Sequence, residues 1–145
     1  MKFCKIRDVK SPERSHNTDA GIDFFIPNDF ETTQIFPHSS INIPSGIKAK
    51  VPHGYALIAF NKSGVATKLG LDVGASVVDE GYQGEIHLHL TNTTDYYAKI
   101  EKGQKIVQFI LLPVNYEMPE EVNEDELFDS ESARGEGGFG STGVN

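Results

Sequence analysis

Apolar and polar residues alternate with a period of two along several short stretches of this chain. The clearest stretch covers residues 40–50 and breaks at residues 44–46, where Pro, Ser and Gly follow one another; its apolar positions are Ile41, Ile43, Ile47, Ala49 and, just beyond, Val51. Alternate side chains of a strand point to opposite faces, so this pattern predicts two β-strands joined by a turn.

Three further stretches predict strands. Residues 55–60 form a compact apolar run, and residues 85–90 place Ile86, Leu88 and Leu90 on one face. Residues 105–114 are almost continuously apolar, which favours a strand buried on both faces. Only residues 63–68 predict a helix, a short one that Gly64 and Gly70 weaken. Many short strands separated by turn residues predict an all-β fold, a jelly-roll-like barrel or sandwich in a single domain.

The chain changes character after this β body, which we assign to residues 1–114. Residues 115–133 carry eight acids and no Lys or Arg, so this acidic arm accounts for the whole formal net charge of -8. A glycine-rich tail, residues 134–145, follows the arm. The body therefore does not repel a phosphate ligand, but it lacks the basic patch that nucleic-acid binding needs.

Cysteine content and hydropathy indicate the cellular compartment. Cys4 is the only cysteine, which excludes an internal disulfide and suits a reducing cytoplasm, that of the host if the source is viral. We expect it to be a small buried apolar residue without a catalytic role. No apolar run has the length of a membrane span, and the polar N-terminus is not typical of a signal peptide.

Five segments carry candidate chemistry. They are Ala-Gly-Ile-Asp-Phe at 20–24, Lys-Ser-Gly-Val-Ala at 62–66, residues 72–84 with Asp79 and Tyr82, Gly-Gln-Lys-Ile-Val-Gln at 103–108, and Arg-Gly-Glu-Gly-Gly-Phe-Gly-Ser-Thr-Gly at 134–143. Any one alone is weak: Asp79 suits an Asx turn as well as catalysis, and Tyr82 suits a cross-strand aromatic. Ser63 and Gln108 alone would more often be turn or strand-edge residues. In the tail, glycines beside Arg, Ser and Thr suit phosphate capture better than a plain linker does.

Together and in this order, the five segments resemble the motifs of the trimeric dUTPase family over almost the whole chain. The resemblance implies hydrolysis of dUTP to dUMP and pyrophosphate in active sites shared between the subunits of a homotrimer. It implies that Asp79 activates the water that attacks the α-phosphorus, and that Tyr82 packs under the deoxyribose and excludes a 2′-hydroxyl. Backbone groups of the hairpin over residues 72–90 would read uracil. The other residues that the resemblance and the hairpin place at the substrate are Lys62, Ser63, Gly64, Ser76, Val77, Val78, His87, Gln108, Arg134, Gly138, Phe139, Gly140, Ser141 and Thr142.

Magnesium is implied by the substrate rather than by a cluster of ligands. Mg²⁺ keeps several waters and binds through substrate phosphates, and Asp23 resembles the family residue that meets the metal through water only. The histidines are scattered. His87 and His89 share a strand face, and the strand pattern alone favours solvent exposure for both.

The chain departs from the family pattern at several places. Asn61-Lys62 stands in place of Pro-Arg, Ser76 in place of Gly, Gly81 in place of an acid, and Gln104-Lys105 in place of Asp-Arg. Two alternatives stay open: a dCTP deaminase of the same fold, for which Glu85 is the candidate glutamate, and a non-catalytic module that binds dUTP. The sequence also leaves open whether the tail closes over its own subunit's site or a neighbour's.

Overall fold

A computed structural model describes residues 1–133 and 135–138, and these residues form a mostly β protein. The elements are β1 (Lys2–Lys5), β2 (Ile22–Phe25), β3 (Thr33–Ile35), β4 (Ser40–Pro44), β5 (Ile47–Lys50), β6 (Tyr55–Asn61), α1 (Ser63–Leu69), β7 (Leu71–Gly74), β8 (Val77–Val78), β9 (His87–Asn92), β10 (Ala98–Ile100) and β11 (Lys105–Pro113), with a 3₁₀ turn at Glu124–Glu126.

All strand pairs are antiparallel among the described residues. One sheet has the order β2-β11-β6-β8 and another has the order β4-β9-β7; β1 pairs with β5 and β3 with β10. Neighbours in a sheet are mostly far apart in sequence, as in a jelly roll. The all-β, jelly-roll-like prediction is confirmed.

Burial follows the alternation that predicted the strands. On β9, Leu88 and Leu90 are buried while His87 is exposed, and on β5 the buried Ile47 and Ala49 alternate with exposed lysines. Across the core, the rings of Phe24 and Phe109 lie 4.4 Å apart between centroids. The two-residue period thus gives β5 and β9 one apolar face each for a shared core.

Strand β11 is buried on both faces only near its start. A register shift between Lys105 and Val107 places consecutive Ile106 and Val107 in the core, whereas Gln108 and Ile110 are half-buried. A β-bulge places two residues opposite one partner, which explains the local double burial. The predicted two-sided burial of the whole run is therefore wrong.

The predicted hairpin over residues 72–90 is interrupted. Strands β7 and β9 pair, but the chain between them leaves this sheet after Gly74 and adds β8 to the edge of the other sheet, beside β6. Ala75, at the point of departure, has φ 48°, a left-handed conformation that non-glycine residues seldom adopt. Residues 76–78 therefore pair with β6 rather than with a simple hairpin partner.

The short helix is confirmed and extends over Ser63–Leu69. It ends at Gly70, which has φ 60° and donates its backbone N–H to the carbonyl of Ala66. Glycine adopts this left-handed conformation without steric cost, and the helix stops there because the cap turns the chain into β7.

The chain divides into two compact units, Met1–Asn115 and Tyr116–Asn145. In the second unit, Asn123 and Glu126 form a reciprocal capping box around the 3₁₀ turn. Cys4 is exposed on β1, so its predicted burial is wrong. Among the described residues, β1 pairs only with β5, and all four of its residues are exposed. Within the described residues, no helix has both the length and the hydropathy of a membrane span.

Candidate active site

Strand β11 gathers residues from three of the five segments at one pocket. Gln108 on β11 is in register with Asp23 on β2 and with Phe60 on β6, and Lys62 follows the end of β6. The resulting cavity has a volume of about 270 Å³, and the residues around it are Ser15, Asp19, Ala20, Gly21, Asp23, Lys62, Gln108 and Ile110. We call this cavity the lysine pocket.

Asp23 is a buried carboxylate held by two ammonium groups. Its Oδ1 accepts from Lys62 Nζ, and its Oδ2 lies 3.1 Å from Lys105 Nζ and 3.3 Å from Ser15 Oγ. Burial opposes ionisation of Asp23, but hydrogen bonds and charge from both lysines outweigh it and hold the pKa of Asp23 below its ordinary value. Asp23 is thus ionised at neutral pH, and it fixes where both ammonium groups lie.

The Gln108 side chain is oriented by the backbone carbonyl of Asn61 and by the space beside Gly21, which has no side chain. Its Nε2 donates to the carbonyl of Asn61 at 2.7 Å. A Cβ at Gly21 would lie 2.9 Å from Gln108 Cδ, so only glycine leaves room for this amide. One N–H of the amide is used by Asn61, and the second is left to donate to an anion in the lysine pocket.

Ser63 and Gly64 begin α1 next to Lys62. Both are exposed, and no heavy atom lies within 4 Å of the position of a Cβ at Gly64. Backbone N–H groups of Val65 and Ala66 both donate to the carbonyl of Lys62 at 2.9 Å, which fixes the turn. These two residues thus present small, accessible groups beside the lysine pocket.

A second set of candidate residues lies on and after the edge strand β8. The carbonyl of Ser76 accepts from the Ala59 backbone at 2.8 Å, Val78 is buried, and Val77 is 58% exposed. Because β8 is an edge strand of its sheet, its outer backbone groups have no strand partner in the part of the chain that the structure describes. Such groups are suited to hydrogen-bond the edge of a planar base.

Asp79 and Tyr82 close a turn immediately after β8. Asp79 is exposed, and its carbonyl accepts from the Tyr82 backbone N–H at 3.1 Å. The Tyr82 hydroxyl donates to the Glu85 carbonyl at 2.8 Å, and the ring lies over Gly84, where a Cβ would be 2.5 Å from Tyr82 Cζ. Tyr82 is therefore held through its backbone N–H and its hydroxyl, and the residue remains 44% exposed.

The neighbours of Tyr82 extend this second site. His87 is exposed, and its Nδ1 lies 3.0 Å from the same Glu85 carbonyl, so the structure brings His87 close to Tyr82. His89 is half-buried, and the expectation of a solvent-facing side chain is wrong for it, since its ring lies over Gly74. Tyr82 also borders a cavity of about 510 Å³ with Gly81, Gln83 and residues of β1 and β5.

Glu85 has a structural role in this fold. Its Oε1 accepts from Arg7 Nε at 3.0 Å and from the Gly46 backbone N–H at 2.7 Å. Partial burial opposes its ionisation, but these two donors outweigh burial and lower the pKa of Glu85 below its ordinary value. A carboxylate already occupied and ionised in this way is poorly suited to relay protons at a base, as a deaminase requires.

Asp79 and Gln108 lie level with opposite ends of β6. Val78 is in register with Leu57, which puts Asp79 level with Ala56, whereas Gln108 is level with Phe60. Four residues of strand separate these levels by about 13 Å. One copy of the chain therefore holds the Asp79 and Tyr82 group apart from the lysine pocket.

Most of the tail candidates lie outside the described residues: Arg134, Phe139, Gly140, Ser141 and Thr142. Gly138 is half-buried, with open space where a Cβ would be. Within the described part of the chain, no group of three or more His, Cys, Asp or Glu residues is arranged to hold a metal ion.

Sequence reasoning missed Arg7, Ser15 and Asn61. Arg7 and Ser15 reach Glu85 and Lys105 across 78 and 90 residues, and no local pattern signals such pairs. Asn61 and Lys105 were visible only as departures from a family pattern.

Comparisons with known proteins decide the family. A sequence model of the dUTPase family matches residues 7–143. This chain belongs to the dUTPase family. It is a dUTP diphosphatase, which cleaves dUTP to dUMP and pyrophosphate.

Its relatives cover nearly its whole length. The deoxyuridine 5'-triphosphate nucleotidohydrolase of Alkaliphilus metalliredigens is 39% identical over 99% of this chain and 97% of its own. That of Mycobacterium sp. strain JLS is 37% identical over 94% and 90%.

Solved structures show the same fold. The dUTPase of Staphylococcus bacteriophage 80alpha with dUPNHPP superposes with a TM-score of 0.84 at 29% identity, over 99% of this chain and 98% of that one. The D95N mutant dUTPase of S. aureus phage phi11, which reveals how a structural Mg(II) ion is coordinated, has a TM-score of 0.74 at 24% identity over 86% and 97%.

Proposed function

We propose that dUTP is hydrolysed between two copies of the chain in a C₃ homotrimer. One copy contributes the lysine pocket, with Lys62, Ser63, Gly64 and Gln108 binding phosphates. A neighbour contributes Asp79 and Tyr82. The separation of about 13 Å along β6 supports this arrangement, because one chain cannot bring Asp79 to a phosphate held at Lys62. A closed ring repeats the same contact three times.

The nucleoside is bound by the edge of β8 and by Tyr82. Backbone groups of Ser76, Val77 and Val78 pair with uracil, whose O4 acceptor and N3–H donor differ from the pattern of cytosine. The Tyr82 ring packs under the deoxyribose and leaves no room for a 2′-hydroxyl, and His87 lies at the rim of this site. A fixed ring and an unpaired hydroxyl together discriminate strongly against UTP.

Chemistry takes place at the α-phosphorus. Asp79 accepts a proton from a water molecule whose oxygen forms a bond to that phosphorus. The bond to the bridging oxygen between the α- and β-phosphates breaks, and pyrophosphate leaves. Lys62, Ser63 and Gln108 hold the phosphates so that attack is in line.

The residues at the lysine pocket fit a magnesium ion that is carried by the substrate. Asp23 is in contact with Lys62, Lys105 and Ser15, which use about three of the four hydrogen bonds that a carboxylate can accept, so one acceptor position remains for a metal-bound water. When bound, Mg²⁺ supplies positive charge to the triphosphate. Asp23 orients the ion through water only.

The tail completes the site. Arg134 pairs with the γ-phosphate, Phe139 covers the uracil ring, and Gly138, Gly140, Ser141 and Thr142 donate to the phosphate chain. The exposed, free Cys4 and a substrate of nucleotide metabolism support a cytoplasmic location.

Mixing two inactive variants tests the shared site. Asp79→Asn removes the base, and Lys62→Met removes a phosphate contact, so each homotrimer should be nearly inactive. After co-refolding in equal amounts, mixed trimers contain one interface that unites an intact lysine pocket with an intact Asp79, and activity should return to about a quarter of the parental value. No recovery, or a monomer mass in light scattering at micromolar concentration, would contradict the shared site.

A further inference from the structure

Asn61 links the two sheets at the end of β6. Its Nδ2 donates to Asp72 Oδ1 at 2.8 Å, and its Oδ1 accepts from the Val73 backbone N–H at 2.7 Å. Strand β6 belongs to the four-stranded sheet, and β7, which carries both partners, is an edge strand of the three-stranded sheet. The Asn61 amide therefore satisfies an edge N–H that no strand covers.

The backbone of the same residue orients the lysine pocket. The Asn61 carbonyl accepts from Gln108 Nε2 at 2.7 Å, and the next residue, Lys62, reaches Asp23. Lys62 is also the N-cap of α1 and makes no side-chain capping hydrogen bond. The two hydrogen bonds of Asn61 therefore tie this junction to β7, in addition to the pairing of Asn61 with Val107 on β11.

We propose that Asn61 is a positioning residue that holds Lys62 and Gln108 in register for the phosphates. The inference rests on the proposed function of the lysine pocket. A proline, which the family pattern places at this position, has no side-chain amide and could not make the link to Asp72 and Val73. Asn61 itself contacts neither the substrate nor the attacking water. It acts through Lys62 and Gln108, which contact the phosphates.

The effect should be on substrate binding rather than on the chemical step. Asp79 lies at the other end of β6, so loss of the link leaves the base in place. Loss of two hydrogen bonds that fix a binding loop is expected to raise the KM for dUTP roughly tenfold, with kcat within about threefold of the parental value. A residue that only stabilises the fold would lower the melting temperature and leave the KM of the folded enzyme unchanged.

The chain offers an exchange that restores the link. Asn61→Asp alone places a second carboxylate against Asp72 and should raise the KM at least as much as Asn61→Ala. Combined with Asp72→Asn, it again gives one amide and one carboxylate, with an acceptor left for the Val73 N–H. The double variant should return to within about threefold of the parental KM. Asn42→Ala, at an exposed strand asparagine outside both sites, is the matched control.

Steady-state kinetics of the full-length enzyme with dUTP and Mg²⁺ test the proposal, with melting temperature and trimer mass measured for each variant. A KM within twofold of parental for Asn61→Ala, or no recovery in the exchanged pair, would overturn it. If Asn61→Ala fails to fold, the KM of Asn61→Asp is compared with the KM of the double variant Asn61→Asp, Asp72→Asn. The proposal then requires a lower KM for the double variant. Failure of the parental enzyme to hydrolyse dUTP is seen before any variant is made, and it would overturn the proposed function together with this inference.

Discussion

At the scale of single residues, Lys62 and Lys105 stand where the family pattern has arginines. Lysine presents a compact charge on a flexible stem, whereas arginine presents a planar fork that binds phosphate through two hydrogen bonds. Here the buried Asp23 holds both Lys62 and Lys105, which restores part of the geometry that lysine lacks. The ionised carboxylate and the two ammonium groups act as one unit, so their substitutions are not expected to be additive.

Asp79→Asn should separate binding from catalysis. The amide cannot accept the proton of the attacking water, and general-base contributions are about a hundred- to ten-thousand-fold in rate. We expect kcat to fall by that range while the dissociation constant of a non-hydrolysable dUTP analogue stays within a few-fold. Single-turnover kinetics and calorimetry measure the two effects, and hydrolysis near the parental rate would place the base elsewhere.

Glu85→Gln should reduce stability in a pH-dependent way. The folded-state pKa of Glu85 is below its ordinary value, so the stabilisation is fully present above the ordinary pKa and is lost as the pH falls through the folded-state pKa. At pH 7 we expect the substitution to lower the free energy of unfolding by about 1 kcal/mol, the scale of a charged hydrogen bond weakened by solvent. Urea denaturation at pH 7 and at about pH 3 measures the difference, which should shrink at the lower pH.

Glu101 is the matched control for Glu85. Its pair with Lys99 is exposed on both sides, and such surface pairs contribute little. Glu101→Gln should therefore leave the free energy of unfolding nearly unchanged at both pH values. An equal loss for both variants, or a loss at Glu85 that does not depend on pH, would contradict the role assigned to that carboxylate.

At the scale of elements, local pattern predicted the strands but not their partners. The two-residue period located β4, β5 and β9 to within a few residues, and a compact apolar run located β6. The path from β7 to β8 was not predictable in this way. The register of β8 with β6 is a long-range pairing, and the left-handed conformation at the turn falls on Ala75 rather than on the preceding Gly74.

Gly21→Ala tests how the first segment shapes β11. The added methyl would crowd Gln108, displace its amide from the Asn61 carbonyl and raise the KM for dUTP several-fold, on the order of one lost hydrogen bond. If Gln108 transmits the effect, Gly21→Ala should add almost nothing to Gln108→Ala in a double-mutant cycle. Additive losses in steady-state kinetics would show that Gly21 acts by another route.

At the scale of the whole molecule, charge and geometry are divided between parts of the chain. The eight acids of residues 115–133 lie outside the body that holds the lysine pocket, so an acidic protein retains a site for a polyanion. The five ordered segments indicated the substrate and the family. They did not reveal that the segments form two groups at opposite ends of β6, because that separation follows from strand register alone.

Hydrolysis of dUTP in water enriched in oxygen-18, with products identified by mass spectrometry, tests the central claim most directly. Attack by water on the α-phosphorus predicts dUMP carrying one heavy oxygen and unlabelled pyrophosphate, with little turnover of UTP or dCTP. Label in the pyrophosphate, or conversion of dCTP to a deaminated product, would contradict the account.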